Sequence, residues 1–153
     1  MTESLKRELS TYFEIMQNKR LSRLKIAETI DAFHENKIDS LWKEHEKIHM
    51  NFKNIFEKAA VIKTKKSSFS YLDLKIKIAE EIYKNCYLCE KRCYVDRNIE
   101  KGYCNVGEPK IASEFLHMSE EVLLVPSHTI FFAGCNFECI YCQNYDISQF
   151  PES

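Results

Sequence analysis

All seven cysteines of this chain fall in its second half, in two tight groups, and none occurs in the first 85 residues. Cys86, Cys89, Cys93 and Cys104 are spaced C-x2-C-x3-C-x10-C, and Cys135, Cys139 and Cys142 are spaced C-x3-C-x2-C. Thiolates a few residues apart on short loops converge on metal centres. Four such ligands close a coordination sphere. Three leave one metal position open for chemistry.

A length of 153 residues is about one ordinary domain. A net charge of -1 gives no reason to expect a nucleic-acid partner. Residues 1–85 carry 17 Lys and Arg against 13 Asp and Glu, whereas residues 86–153 carry 5 against 10. That imbalance is too small to name a partner. The opening MTESLKRELS has no apolar core of a secretory signal, and no run nears the ~18 apolar residues of a membrane helix. A cytoplasmic, reducing setting is therefore expected, with thiols or metal thiolates rather than disulfides.

The first half reads as helices. Leu5, Leu9, Tyr12, Phe13 and Met16 recur at helical steps, as do Leu24, Ala27, Ile30 and Phe33 within 21–33. Leu41, His45, Ile48, Phe52 and Ile55 form the longest stripe, with Asp39 or Ser40 as expected N-cap. The segment KTKKSSFS at 63–70 reads as a linker or loop, and its Lys63, Lys65 and Lys66 as a solvated loop. The following YLDLKIKIAEEIYKN alternates like a strand through Leu72, Leu74 and Ile76 but repeats like a helix through Leu74, Ile78 and Ile82. Ser70 with Asp73 makes a capping pattern, which favours helix. All three glycines and all three prolines lie at or after Gly102, so the second half is loop-rich. Thr129-Ile130-Phe131-Phe132 reads as a buried strand running into Ala133-Gly134-Cys135.

The loop Cys135–Cys142 suits one corner of a cubic iron–sulfur cluster, with the fourth iron free for another ligand. Gly134 would let the backbone approach that cluster where a Cβ clashes. The alternative is a zinc site borrowing His117 or His128 as fourth ligand. For the first group, four soft ligands suit either a closed zinc site, put first here, or a second iron–sulfur cluster. Arg92, Arg97 and Lys101 are candidates to offset thiolate charge, and Gly102 to turn the chain back toward the metal.

The segment TIFFAGCNFECIYCQNYDIS at 129–148 resembles the cluster loop of radical S-adenosylmethionine enzymes, most closely the branch related to pyruvate formate-lyase activating enzymes. The preceding SEFLHMSEEVLLVPSHT and the pattern CYLCEKRCYVDR…KGYC resemble the same branch, including its archaeal members. The resemblance implies a 4Fe-4S cluster on Cys135, Cys139 and Cys142, with S-adenosylmethionine bound at the open iron. It implies that the aromatic before the third cysteine, Tyr141, lies against the adenine. It further implies 5′-deoxyadenosyl radical chemistry on a substrate, which in this branch can be a protein.

The same resemblance implies an α/β barrel, and eight-unit barrels need roughly 200 residues or more. Only 11 residues follow Cys142. The expected architecture is thus a mainly α region at 1–85, a Cys-rich metal-binding segment at 86–125, and the first strand and cluster loop of an incomplete barrel at 126–153. The missing barrel wall is expected downstream or on another chain. A non-catalytic helical metal-binding module is the competing reading, and no catalytic side chain is named.

His45-Glu46-Lys47-Ile48-His49 matches the H-E-x-x-H pattern of zinc proteases. The charged flanks Lys43, Glu44 and Lys47 and the lack of a third ligand argue against that chemistry. His45 shares a stripe with Leu41, Ile48 and Phe52, so packing is expected of it.

Overall fold

The stripe beginning at Leu41 sits on the longest helix of the protein. The computed structural model describes residues 3–58, 65–121 and 125–151. Among these, six helices precede, flank and follow a two-stranded sheet. They are α1 (Glu3–Glu8), α2 (Ser10–Met16), α3 (Arg23–Ala27), α4 (Ile38–Lys58), α5 (Tyr71–Tyr83) and α6 (Tyr145–Gln149), with β1 (Ile111–His117) and β2 (Ser127–Phe132) between the last two helices. The chain divides into two compact units, residues 1–80 and 81–153. The division falls within α5, and both cysteine groups belong to the second unit. No helix among the described residues is long and apolar enough to cross a membrane.

In the first unit, Leu41, Ile48 and Phe56 bury one face of α4 at two-turn spacing. The helix starts one residue before the expected cap. Ser40 and Leu41 donate their N–H groups to the Lys37 carbonyl at 3.0 and 3.1 Å, and Asp39 sits in the first turn, where its charge complements the helix dipole. At the other end, the Arg20 guanidinium donates to the carbonyls of Phe56 (2.7 Å) and Glu57 (3.2 Å) and lies 4.7 Å from the Phe56 ring. One arginine thereby satisfies orphan carbonyls and packs its plane on the core.

The expected helix over 21–33 shrinks to α3. Ser22 caps it, accepting from the Lys25 N–H at 3.3 Å. Beyond Ala27 the backbone leaves the helix to pair with 67–71: Ser67 N–H with Glu28 carbonyl, Ala32 with Phe69, and Tyr71 with Ile30. Thr29, Ile30 and Asp31 are poor helix formers, so pairing wins there. Leu24 and Phe33 are exposed. The loop expected at 63–70 is loop over its described part, 65–70, and this pairing ties it to 28–32. Residues 63 and 64, with Lys63, lie outside the described residues, and Lys65 and Lys66 are exposed. Ser67 is fastened to Asp31 at 2.6 Å and Ser70 is wholly buried.

The ambiguity over 71–83 is resolved by burial: Leu74, Ile78 and Ile82 are buried while Ile76 is half exposed. Asp73 accepts from the N–H and hydroxyl of Ser70, and Ser70 Oγ accepts from the Asp73 N–H at 3.2 Å. That reciprocal cap nucleates α5.

In the second unit, β1 and β2 run antiparallel, with Phe115 opposite Thr129 and an irregularity between Ile111 and Ser113. The strand expected at 129–132 lies inside β2, but it is not buried. Exposure alternates along it: Ile130 and Phe132 are 42% and 61% exposed, while Thr129 and Phe131 on the other face are half-buried, Phe131 against Phe115. The pairing is a hairpin-like ribbon, and no parallel barrel strand occurs among the described residues.

Candidate metal centre

Three hydrogen bonds fold the first cysteine segment back on the end of α5. Cys86 N–H reaches the Val95 carbonyl at 2.9 Å, Tyr94 N–H reaches Cys86 at 2.9 Å, and Arg97 N–H reaches Tyr83 at 2.9 Å. The fold-back needs tight corners, which Arg92 and Tyr94 supply with positive φ of 42° and 56°. Cys104 sits in a second corner, closed by Asn105 N–H on the Gly102 carbonyl at 2.8 Å. The left-handed residue of that corner is Asn105, at φ 57°, rather than Gly102. Gly102 serves space instead: a Cβ there would stand 3.2 Å from Cys93 Sγ and 3.1 Å from an Arg97 nitrogen.

Cys86, Cys89, Cys93, Cys104 and Cys135 all line one cavity of about 370 Å³. Cys139 and Cys142 do not line it. Of the three cations flagged by sequence, Arg97 is the one that enters. Its Nη1 donates to Cys86 Sγ at 3.5 Å, its Nε to the Gly107 carbonyl at 3.1 Å, and its plane covers the Tyr83 ring at 5.4 Å. Burial works against the Arg97 charge, but the hydrogen bond to Cys86 and the field of Cys104 outweigh it and raise its pKa. The Cys93 thiol is pulled below its ordinary value, first by the backbone N–H of Tyr103. Arg92 lies on the surface, 3.9 Å from Glu90. Lys101 lines a separate hollow of about 230 Å³.

The second group follows β2 directly. Gly134 has φ +79°, and a Cβ on it would lie 2.1 Å from Val106 Cγ2 and 2.7 Å from the Cys104 carbonyl. The close approach that requires glycine is therefore to the Cys104 turn. Ala133 N–H binds the Lys110 carbonyl and Gly134 N–H the Ile147 carbonyl, both at 2.8 Å, so the loop is held at its root. Phe137 N–H donates to Cys135 Sγ at 3.4 Å. Cys142 N–H closes a turn on the Cys139 carbonyl at 3.2 Å, and its Sγ is 3.4 Å from Ser148 Oγ on α6. Tyr103 donates its hydroxyl to Glu138 at 2.7 Å, tying the Cys104 turn to the loop. Tyr141 is 83% exposed and Ile140 97%.

No set of three or more Cys, His, Asp or Glu side chains among the described residues converges as the ligands of one ion would. His128 is 3.4 Å from Glu114 and His117 3.5 Å from Glu120, and neither lines the thiol cavity. They give no geometric support to a zinc site that borrows a histidine.

The H-E-x-x-H pair has a packing role. Tyr71, wholly buried, sets its hydroxyl 3.1 Å from His45 Nε2 and 3.5 Å from His49 Nδ1. The two imidazoles lie 5.5 Å apart and nearly parallel, at 12°. His45 Nε2 is turned to a tyrosine hydroxyl rather than to open space. Burial, then the charges of Lys75 and His49, hold the His45 pKa below its ordinary value.

The chain is 42% identical, over 147 residues, to MJ0674, an uncharacterized protein of Methanocaldococcus jannaschii. The match covers 93% of this chain and 42% of that protein. MJ0808, another uncharacterized protein of the same organism, is 30% identical over 83 residues, covering 43% of this chain and 25% of its own length. The chain thus spans well under half the length of the curated relatives it matches. No family model matches it. No solved structure matches it either.

Proposed function

We propose that residues 126–153 carry the iron–sulfur and S-adenosylmethionine binding loop of a radical S-adenosylmethionine protein, in a reducing, cytoplasmic setting. The observation that carries the reading is the spacing Cys135-x3-Cys139-x2-Cys142 immediately after a strand, with an exposed aromatic, Tyr141, before the third thiol. A cluster bound there would supply one electron for reductive cleavage of S-adenosylmethionine to a 5′-deoxyadenosyl radical.

The chain's own residues prepare the loop for such a group. Gly134 and the two hydrogen bonds at 133–134 hold its root still. The Phe137 N–H offers a hydrogen bond to the Cys135 sulfur, the kind of contact that tunes a cluster's potential. Ser148 stands at the Cys142 sulfur. Tyr141 projects where a flat ring can stack on it. A site built on one open loop excludes little water. Full activity, and any protein substrate, therefore belongs to the loop together with walls contributed by further polypeptide.

One observation favours a second reading, a non-catalytic metal-binding module: the strand before the loop sits in an antiparallel ribbon. Anaerobic reconstitution with iron and sulfide, followed by electron paramagnetic resonance with and without S-adenosylmethionine, separates the two: only the radical reading has a cluster signal that S-adenosylmethionine alters. On the radical reading, Cys135→Ala, Cys139→Ala and Cys142→Ala each lower the iron and sulfide content and the broad charge-transfer absorbance. Unchanged iron, sulfide and absorbance in the triple variant would refute it.

A further inference from the structure

We propose that Ser148 is a positioning residue of the 135–142 loop: once Cys142 holds iron, the Ser148 hydroxyl donates to its sulfur and raises the reduction potential of the bound group. The inference rests on the iron–sulfur reading of that loop and assigns a role to a side chain outside the cysteine motif.

The argument is a count of hydrogens. Ser148 Oγ donates to the Tyr145 carbonyl at 3.2 Å and accepts from Gln149 Nε2 at 3.3 Å. It also lies 3.4 Å from Cys142 Sγ, where either atom can be the donor. A hydroxyl has one hydrogen. With that hydrogen on the Tyr145 carbonyl, the Cys142 thiol is the donor to Oγ. A cysteine that binds metal is a thiolate and has no hydrogen to give. The Ser148 hydrogen then turns to the sulfur, or lone pairs face each other. Ser148 is only 9% exposed, so water is poorly placed to relieve that contact. A hydroxyl rotates to suit its partners, so the turn needs no heavy atom to move.

The hydroxyl is held in place for this. Gly134 N–H donates to the Ile147 carbonyl at 2.8 Å and Ser148 N–H to the Asn144 carbonyl at 2.9 Å, which fixes α6 to the root of the loop. Gln149 Nε2 also donates to the Phe137 carbonyl at 3.0 Å, inside the loop. The amide that polarises Ser148 Oγ is thereby anchored, and linked hydrogen bonds strengthen one another. A donor at a cluster thiolate favours the reduced, more negative state. Ser148 would do for Cys142 what the Phe137 N–H does for Cys135.

The test is a redox titration of the whole chain, reconstituted anaerobically with iron and sulfide. It follows the electron paramagnetic resonance component that Cys135→Ala/Cys139→Ala/Cys142→Ala removes. Ser148→Ala should keep that component and lower its reduction equilibrium constant about tenfold, a negative shift of ~59 mV for one electron. Ser148→Thr, which keeps the hydroxyl, should restore the native potential. A purely structural role would lower the thermal midpoint of Ser148→Ala and leave the potential alone, and that result would overturn the proposal. Gln149→Leu keeps the hydroxyl but removes the amide that polarises it, so it should shift the potential the same way by less. If Ser148→Ala does not fold, Gln149→Leu carries the test, and an unchanged potential in it would overturn the proposal. A native chain with no such component would overturn the iron–sulfur reading of the loop and this role with it. A component present in every variant at one potential would overturn the role of Ser148 alone.

Discussion

Gly134 carries more of the second unit than its size suggests. It combines a left-handed backbone with a contact to Val106 and the Cys104 carbonyl that leaves no space for a methyl group. Gly134→Ala should therefore lower stability by about 1–3 kcal/mol, read as a drop in the thermal midpoint of the 81–153 unit. Gly107→Ala is the contrast: its Cβ would meet only the Arg97 carbonyl, at an ordinary 3.5 Å, so little change is expected. His45 gives a second test at this scale. Its pKa is depressed in the folded state, so the unfolded chain binds the proton more readily. Its contribution to stability is therefore complete above about pH 6.5 and is lost as pH falls through the lower, folded value. Denaturant midpoints at pH 8 and pH 5.5 should differ in that direction, and the difference should shrink in His45→Gln. Lys75 and His49 add to the effect and Glu46 opposes it. The literal H-E-x-x-H match needs no metal to explain it, since both imidazoles meet Tyr71. Replacing both by glutamine should leave zinc content unchanged in metal analysis.

Among the elements, α5 shows what was legible in the sequence and why. Two independent signals, the Leu74–Ile78–Ile82 repeat and the Ser70–Asp73 cap, agree on a helix, and its alternating apolar residues are outvoted. Ser70→Ala should cost about 0.5–2 kcal/mol in a denaturation curve, the usual worth of an N-cap. Asp73 accepts the other half of the cap, and its pKa is held low first by the Ser70 hydroxyl. Its contribution is present above its unfolded value and is lost as pH falls through the folded one. The helix read over 21–33 fails for a non-local reason: the partner that pulls 28–32 out of helical pairing lies some 40 residues away, at 67–71. The strand at 129–132 is legible as an extended apolar run. Its exposure is not, because burial depends on what covers its faces. At the candidate metal site, cysteine spacing marks the loops. It does not reveal that Cys135 faces the same cavity as the first group, or that Arg97, not Arg92, reaches a thiol.

At the scale of the whole molecule, one unit is organised by buried helix faces and the other by loops around thiols. Little apolar surface is buried in the second unit: Ile111, Leu116, Phe132, Phe137, Ile140 and Tyr141 are all more than half exposed. Metal binding is therefore expected to supply much of its folding free energy. Removing iron by chelation should broaden or abolish the unfolding transition of 81–153, while the helical unit still melts cooperatively. The exposure of Tyr141 and the open loop also predict that the purified 153-residue chain releases at most traces of 5′-deoxyadenosine after reduction. Sustained release would mean that a closed site assembles, for instance between copies. On the proposed reading, the three thiols of 135–142 leave one iron open to S-adenosylmethionine. Electron paramagnetic resonance of the reduced, reconstituted chain, with and without excess S-adenosylmethionine, is the decisive measurement. The expected spectrum has a component whose line shape changes on adding S-adenosylmethionine and that disappears in the Cys135→Ala/Cys139→Ala/Cys142→Ala variant. A spectrum that S-adenosylmethionine leaves unaltered in the native chain would contradict it.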